Sequence, residues 1–153
     1  MYQRILVPLD GSATADHGLR EAIALAASQK ARLFLLHVVD DYPMLLGLSS
    51  VASCNEMIAG LRKYGTDVLD KARQAARDAS VEAETLLAEV ATHRVAEVIV
   101  QQARRRACDL IVMGTHGRRG VNRLALGSEA ELVARTSPVP VLLVRPEPAQ
   151  PAP

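Results

Sequence analysis

Gly114, Gly117 and Gly127 recur with two residues between the first pair and nine between the second, and Ser128 follows directly. The stretch leaves an apolar run, Asp109 to Met113, and enters a helical pattern at 128–136, so a strand gives way to a helix there. Glycines let backbone N–H groups approach an anion closely. The first turn of the helix adds unpaired N–H groups and the positive end of its dipole. The chemistry that suits this combination is the holding of phosphate. Arg118, Arg119 and Arg123 lie in the same stretch and would neutralise phosphate charge, Arg118 first because it adjoins the second glycine; His116 is a further contact candidate. Neither common nucleotide fingerprint is present. No Lys follows a glycine as in the P-loop, and no G-x-G-x-x-G follows the first apolar run. Asp10 is the second candidate: it follows Ile5-Leu6-Val7-Pro8-Leu9 and precedes Gly11-Ser12, where it would cap a turn or face a ligand beyond a strand end.

Other reactive residue types fall without a supporting pattern. His17, His37 and His93 sit on different segments with no i, i+4 pair, which does not support a metal site. Cys54 and Cys108 form no CxxC pair; Cys108, before a buried strand, reads as core, and Cys54, in a loop, as the more reactive thiol. Arg104-Arg105-Arg106 reads as the solvated end of a helix whose dipole favours cations. Ser128 has no G-x-S-x-G around it, so no nucleophile is assigned.

The elements that must position these residues follow from apolar spacing. Ile5 to Pro8 and Leu33 to Val39 are continuous apolar runs, the form taken by strands covered on both faces. Between them Leu19, Ala22, Ile23 and Ala26 mark one face of a helix that Ser12 or Thr14 would cap. Residues 40–55 read as a loop with Met44, Leu45, Leu46 and Leu48 folded over a neighbour. A long helix is expected from about Asn55 to Ala79 with Leu61, Tyr64, Val68, Ala72 and Ala75 inward. Residues 81–90 read as a strand, 92–106 as a helix, Asp109 to Met113 as a strand, 128–136 as a short helix and Val139 to Val144 as a last strand. Five strands alternating with four helices predict right-handed crossovers in an open, doubly wound, five-stranded parallel sheet with helices on both faces. Ligands of such sheets bind beyond the carboxyl ends of the strands, where strand order reverses. The Asp10 and Gly114 loops both leave carboxyl ends.

Composition narrows the function classes. Eighteen basic residues against 17 acidic give a net charge of +1, too little to draw nucleic acid or an anionic membrane to the whole surface. With no Trp, one Phe and three Tyr there is no stacking platform for single-stranded bases. The 153 residues suit one domain, expected over 1–146, followed by a Pro-rich tail at 147–153. The apolar runs are too short to span a bilayer and the start lacks the form of a signal peptide, so a cytoplasmic location is expected.

Three segments in order resemble the universal stress protein family. Its nucleotide-binding members carry Gly, two residues, Gly, nine residues, then Gly-Ser or Gly-Thr, the spacing of Gly114, Gly117, Gly127 and Ser128. Ile5 to Ser12 looks like the family's first strand and turn, Leu36-His37-Val38 like the end of its second strand, and Cys108 to Gly114 like its fourth. The resemblance spans about residues 2–145 and implies a Rossmann-like sandwich of the adenine nucleotide alpha hydrolase type. It implies ATP or AMP as ligand, with Mg²⁺ as a companion. Pro8, Leu9 and Asp10 would border the nucleoside, Val38 the adenine, and Met113 and Gly114 the ribose. Gly117, Arg118, Gly127, Ser128 and the amides of Glu129 and Ala130 would hold the phosphates. Many members have small apolar and hydroxyl residues where this chain has Glu129 and Ala130; a carboxylate there would weaken triphosphate binding or make it depend on Mg²⁺, unless it points away. The resemblance further implies a homodimer through the last strand, Val139 to Val144, and an unidentified protein partner in stress adaptation. Two rival readings use the same loop: a slow ATPase, and a nucleotide-free interaction module.

Overall fold

Among the described residues of the computed structural model, 1–40, 50–90, 94–117 and 126–146, the elements run β1 (Arg4–Pro8), α1 (Ala13–Gln29), β2 (Arg32–Asp40), α2 (Val51–Asp78), β3 (Ala83–Val90), α3 (Val95–Arg105), β4 (Leu110–Gly114), α4 (Ser128–Thr136) and β5 (Val141–Val144). The five strands form one sheet in the order β3-β2-β1-β4-β5, and every neighbouring pair is parallel. The predicted doubly wound α/β fold is therefore the observed one. Because side chains alternate along a strand, each apolar run feeds two cores. Ile5, Val7, Leu33, Leu35, Leu110 and Val112 meet α1 and α2 through Leu19, Ala22, Leu69 and Ala72. Leu6, Phe34, Leu36, Ile111 and Met113 meet α3 and α4 through Ile99, Ala103, Ala130 and Val133. Small residues on the helices let them lie close to a sheet whose own side chains are large and branched.

Several boundaries differ from the expectation, each for a local reason. α2 begins at Val51, because Ser50 Oγ accepts a hydrogen bond from Ser53 N–H at 3.2 Å and so caps a helix start that reads as loop in the sequence. Cys54 consequently lies on that helix, half-buried, and not in a loop. The buried stripe of α2 runs through Gly65, Leu69, Ala72 and Ala76, leaving Tyr64 and Ala75 on its exposed side. α3 spans Val95–Arg105. β5 starts only at Val141: the Val139 N–H turns to Ser137 Oγ at 3.2 Å, while the Pro140 carbonyl accepts from Ile111 N–H at 3.0 Å. The loop residues Met44, Leu45, Leu46 and Leu48, His93, Arg118, Arg119 and Arg123, and the tail at 147–153 lie outside the described residues.

Cys108 is 5% exposed, and burial pushes its thiol up to about 11, which makes it a core residue and no nucleophile at neutral pH. In the arginine run, Arg104 and Arg105 are exposed at the end of α3, but Arg106 donates to Glu84 Oε1 at 2.5 Å and its carbonyl accepts from Arg4 Nε at 2.6 Å. Arg106 thus ties α3 to β1 and β3. Among the described residues no helix is long and apolar enough to cross a membrane.

Candidate functional site

Strand order reverses between β1 and β4, which lie side by side with Ile5 opposite Leu110 and Leu6 opposite Ile111. The turn after β1 and the stretch Thr115 to Gly117 after β4 therefore lie next to each other at the carboxyl edge. On the first lip Asp10 Oδ1 accepts the Ser12 N–H at 2.9 Å, and Ser12 Oγ accepts from Ala15 N–H at 3.1 Å to cap α1. Gly11 has a φ of +80°, a conformation that a side chain would strain. The other Asp10 oxygen points across the crevice: a Cβ placed on Gly117 would stand 2.7 Å from Asp10 Oδ2. Asp10 thus closes the turn with one oxygen and has the other beside Gly117.

The second lip is built from β4, β5 and α4. Thr115 N–H donates to the Val144 carbonyl at 2.9 Å, and Gly127 N–H donates to the Thr115 carbonyl at 2.8 Å, so the two ends of the glycine segment are fastened together. A Cβ on Gly127 would lie 3.0 Å from the Thr115 oxygen, which is why a residue without one stands there. Gly127 is also the N-cap of α4 and offers no side-chain cap. The first helical bond runs from Glu131 N–H to the Gly127 carbonyl at 2.9 Å, leaving the N–H groups of Ser128, Glu129 and Ala130 without helical acceptors. Thr115 Oγ1 and His116 Nδ1 are 2.9 Å apart, and His116 Nε2 is buried without a hydrogen-bond partner among the described residues.

The remaining residues expected at the site differ in exposure. Ser128 and Gly117 are exposed at the crevice, and Gly114 is buried against Thr14 of α1. Val38 is half-buried at the edge of the second core. Leu9, Met113 and Ala130 are 4%, 7% and 3% exposed, so they can offer only backbone groups without repacking. Pro8 ends β1 beside Leu36 of β2. Arg118 is outside the described residues. Two residues that the sequence reading did not place at the site join the first lip: His37 Nδ1 lies 2.8 Å from the Leu9 carbonyl, and Tyr64 Oη donates to the Asp10 carbonyl at 3.2 Å.

Glu129 has a structural partner that the sequence did not show. Its Oε2 accepts the Ala96 N–H at 2.7 Å, capping α3, whose own N-cap residue Arg94 makes no side-chain cap bond. The carboxylate is engaged by a second helix start. It is therefore not expected to weaken triphosphate binding. Removing it should act on stability instead: Glu129→Ala is expected to cost about 1 kcal/mol, the usual worth of an N-cap, and to leave the ratio of ATP to AMP affinity unchanged. Urea melts and parallel titrations of the two nucleotides check both halves; a changed affinity ratio at unchanged stability would contradict this role.

The family model described as the universal stress protein family matches residues 1–145. A universal stress protein of Methanocaldococcus jannaschii is 34% identical over 145 residues, covering 95% of this chain and 83% of its own length. Among solved structures, one from the universal stress protein family of Burkholderia pseudomallei is 37% identical, with a TM-score of 0.76 over 94% of this chain and 96% of that one. Universal stress protein UspA from Lactobacillus plantarum superposes with a TM-score of 0.81 at 26% identity, covering 94% of this chain and 98% of that one. The fold, the order of the three motif segments and these likenesses converge: the chain belongs to the universal stress protein family.

Proposed function

We propose that this protein binds an adenine nucleotide, ATP or AMP, in the crevice between β1 and β4, and acts in the cytoplasm as a nucleotide-dependent element of stress adaptation. The observation that carries the reading is the fastening of Gly127 to Thr115, which sets three unpaired N–H groups of α4 beside the open backbone of Gly117. That is the composition of an anion cradle. The phosphates lie on Gly117, Gly127, Ser128 and the Glu129 and Ala130 amides, with Arg118 as counter-charge. Pro8, Leu9, Asp10, Val38, Met113 and Gly114 border the nucleoside. His116 Nε2 supports the reading: when the Thr115 hydroxyl donates to Nδ1, Nε2 carries the ring hydrogen, a donor that a ligand oxygen would satisfy. Two universal stress proteins with this fold, 24% and 23% identical to the chain, are known in complex with cAMP and with dAMP. At that identity the likeness is one of fold, and the fold takes an adenine nucleotide in those two proteins. Mg²⁺ would accompany a triphosphate, with the Asp10 carboxylate the acidic group that faces the loop.

Calorimetric titration of the purified protein with AMP, ADP and ATP, each with and without Mg²⁺, tests the reading. Saturable one-to-one binding of at least one of them is expected; no heat from any at millimolar ligand would favour the nucleotide-free module instead.

The same reading includes a homodimer through β5. Among the described residues β5 pairs only with β4, which leaves its other edge for a second copy, and Leu142 is 42% exposed. Two copies meeting about a two-fold axis would satisfy the edge groups and cover that side chain. Leu142→Asp is expected to halve the mass seen by light scattering at micromolar concentration without loss of fold. A wild type that is already monomeric there would end this part of the proposal.

A further inference from the structure

We infer that α3 restrains the Glu129 carboxylate so that it does not compete with a phosphate for the start of α4, which makes Glu129 a positioning residue that sets how much negative charge the site accepts. The inference rests on the nucleotide-binding reading above. The first turn of α4 carries two carboxylates, Glu129 and Glu131, beside the N–H groups of Ser128, Glu129 and Ala130 that have no helical acceptors. A carboxylate in the first turn of a helix is attracted to the same positive end, and to the same N–H groups, as a bound anion. Unrestrained, Glu129 would stand in the ligand's way.

Both carboxylates are engaged elsewhere. Glu131 accepts from Arg135 Nη2 at 2.5 Å, one turn further along α4. Glu129 leaves its own helix: Oε2 accepts the Ala96 N–H at 2.7 Å, a part-buried bond between residues 33 apart in the chain. Ala96 lies in the first turn of α3, where the Glu97 and Val98 N–H groups bond the Arg94 carbonyl at 3.0 and 3.3 Å and the Ala96 N–H has no acceptor within the helix. The 11 residues of α3 give that start a positive end of its own. Packing fixes the two helix starts relative to each other, because Ala96 and Ala130 are both buried in the second core with Ile99 and Val133. Two helix starts thus compete for one carboxylate, and α3 holds it. The amides of α4 stay available to a ligand although a glutamate stands among them.

Reach and charge separate at this one side chain. Glu129→Asp keeps the charge but is one methylene too short to meet Ala96, so its carboxylate falls back on α4. Glu129→Gln keeps the reach and an acceptor oxygen but carries no charge. Both keep the backbone amide. Titrated with adenosine, AMP and ATP in Mg²⁺-free buffer of low salt, Glu129→Asp is expected to spare adenosine, to bind AMP about threefold and ATP about tenfold more weakly, and to recover at high salt. Glu129→Gln is expected to lose no more affinity for ATP than for adenosine. If the bond to Ala96 served stability alone, Glu129→Asp would melt earlier with its three affinities unchanged or lowered by one common factor, a result that would overturn the inference and leave nucleotide binding intact. An ATP-selective loss in Glu129→Gln would overturn it too, since no charge is released there. Failure of the wild type to bind any of the three ligands would overturn the binding reading and the inference with it.

Discussion

Gly117→Val is expected to lower affinity for every phosphorylated adenine ligand by at least a hundredfold while leaving the fold in place. Gly117 is exposed on the far lip from Asp10, and in the proposed site a phosphate passes close to its backbone. A Cβ there would stand 2.7 Å from Asp10 Oδ2, the end of a flexible side chain, so the carboxylate swings aside at little cost to stability. The two further methyl groups then occupy the space between the lips. A hundredfold loss corresponds to about 2.7 kcal/mol, which the removal of close backbone contact to a charged group can supply. Calorimetry for affinity, with circular dichroism melting for fold, checks both parts. Retained binding in a folded variant would move the site elsewhere.

The second large effect concerns stability and comes from a glycine of the same motif. A Cβ on Gly114 would lie 2.8 Å from Thr14 Cγ2 and 3.0 Å from the Thr14 carbonyl oxygen, and backbone cannot turn aside as Asp10 can. Gly114→Val must push α1 away from β4, and overpacking of this kind costs on the order of 3 kcal/mol. For a domain of this size that lowers the melting temperature by roughly 6–12 °C. Gly114 and Gly117 thus belong to one spacing motif for different reasons, Gly114 for helix packing and Gly117, in the proposed function, for ligand approach. A Gly114→Val protein that melts with the wild type would show that α1 has room the structure does not allow it.

The fold was legible because strands buried on both faces write themselves as unbroken apolar runs: Ile5 to Val7, Leu33 to Val39 and Leu110 to Met113 could be nothing that lies at a surface. Strand order was not written, yet the crevice between the Asp10 and Gly114 loops followed from the rule that ligands sit where order reverses. What the sequence hid depends on contacts between distant segments. Glu129 caps a helix 33 residues away, His37 reaches back 28 residues to Leu9, and Tyr64 reaches 54 residues to Asp10. No local pattern encodes such pairings. The inward face of α2 was misread by part of a turn for a related reason: Gly65 carries no apolar signal of its own, and it is buried because His37 and Leu87 occupy the space its side chain would have.

The central claim is a location as much as an affinity, and amide chemical shifts report location. A ¹H–¹⁵N spectrum of the labelled protein, titrated with AMP and then with ATP, should move the amides of Gly117, Gly127, Ser128, Glu129 and Ala130, with Asp10 and Val38 responding to both nucleotides alike. Shifts confined to Arg104, Arg105 and Arg106 at the far end of α3, or an unchanged spectrum at millimolar nucleotide, would contradict it.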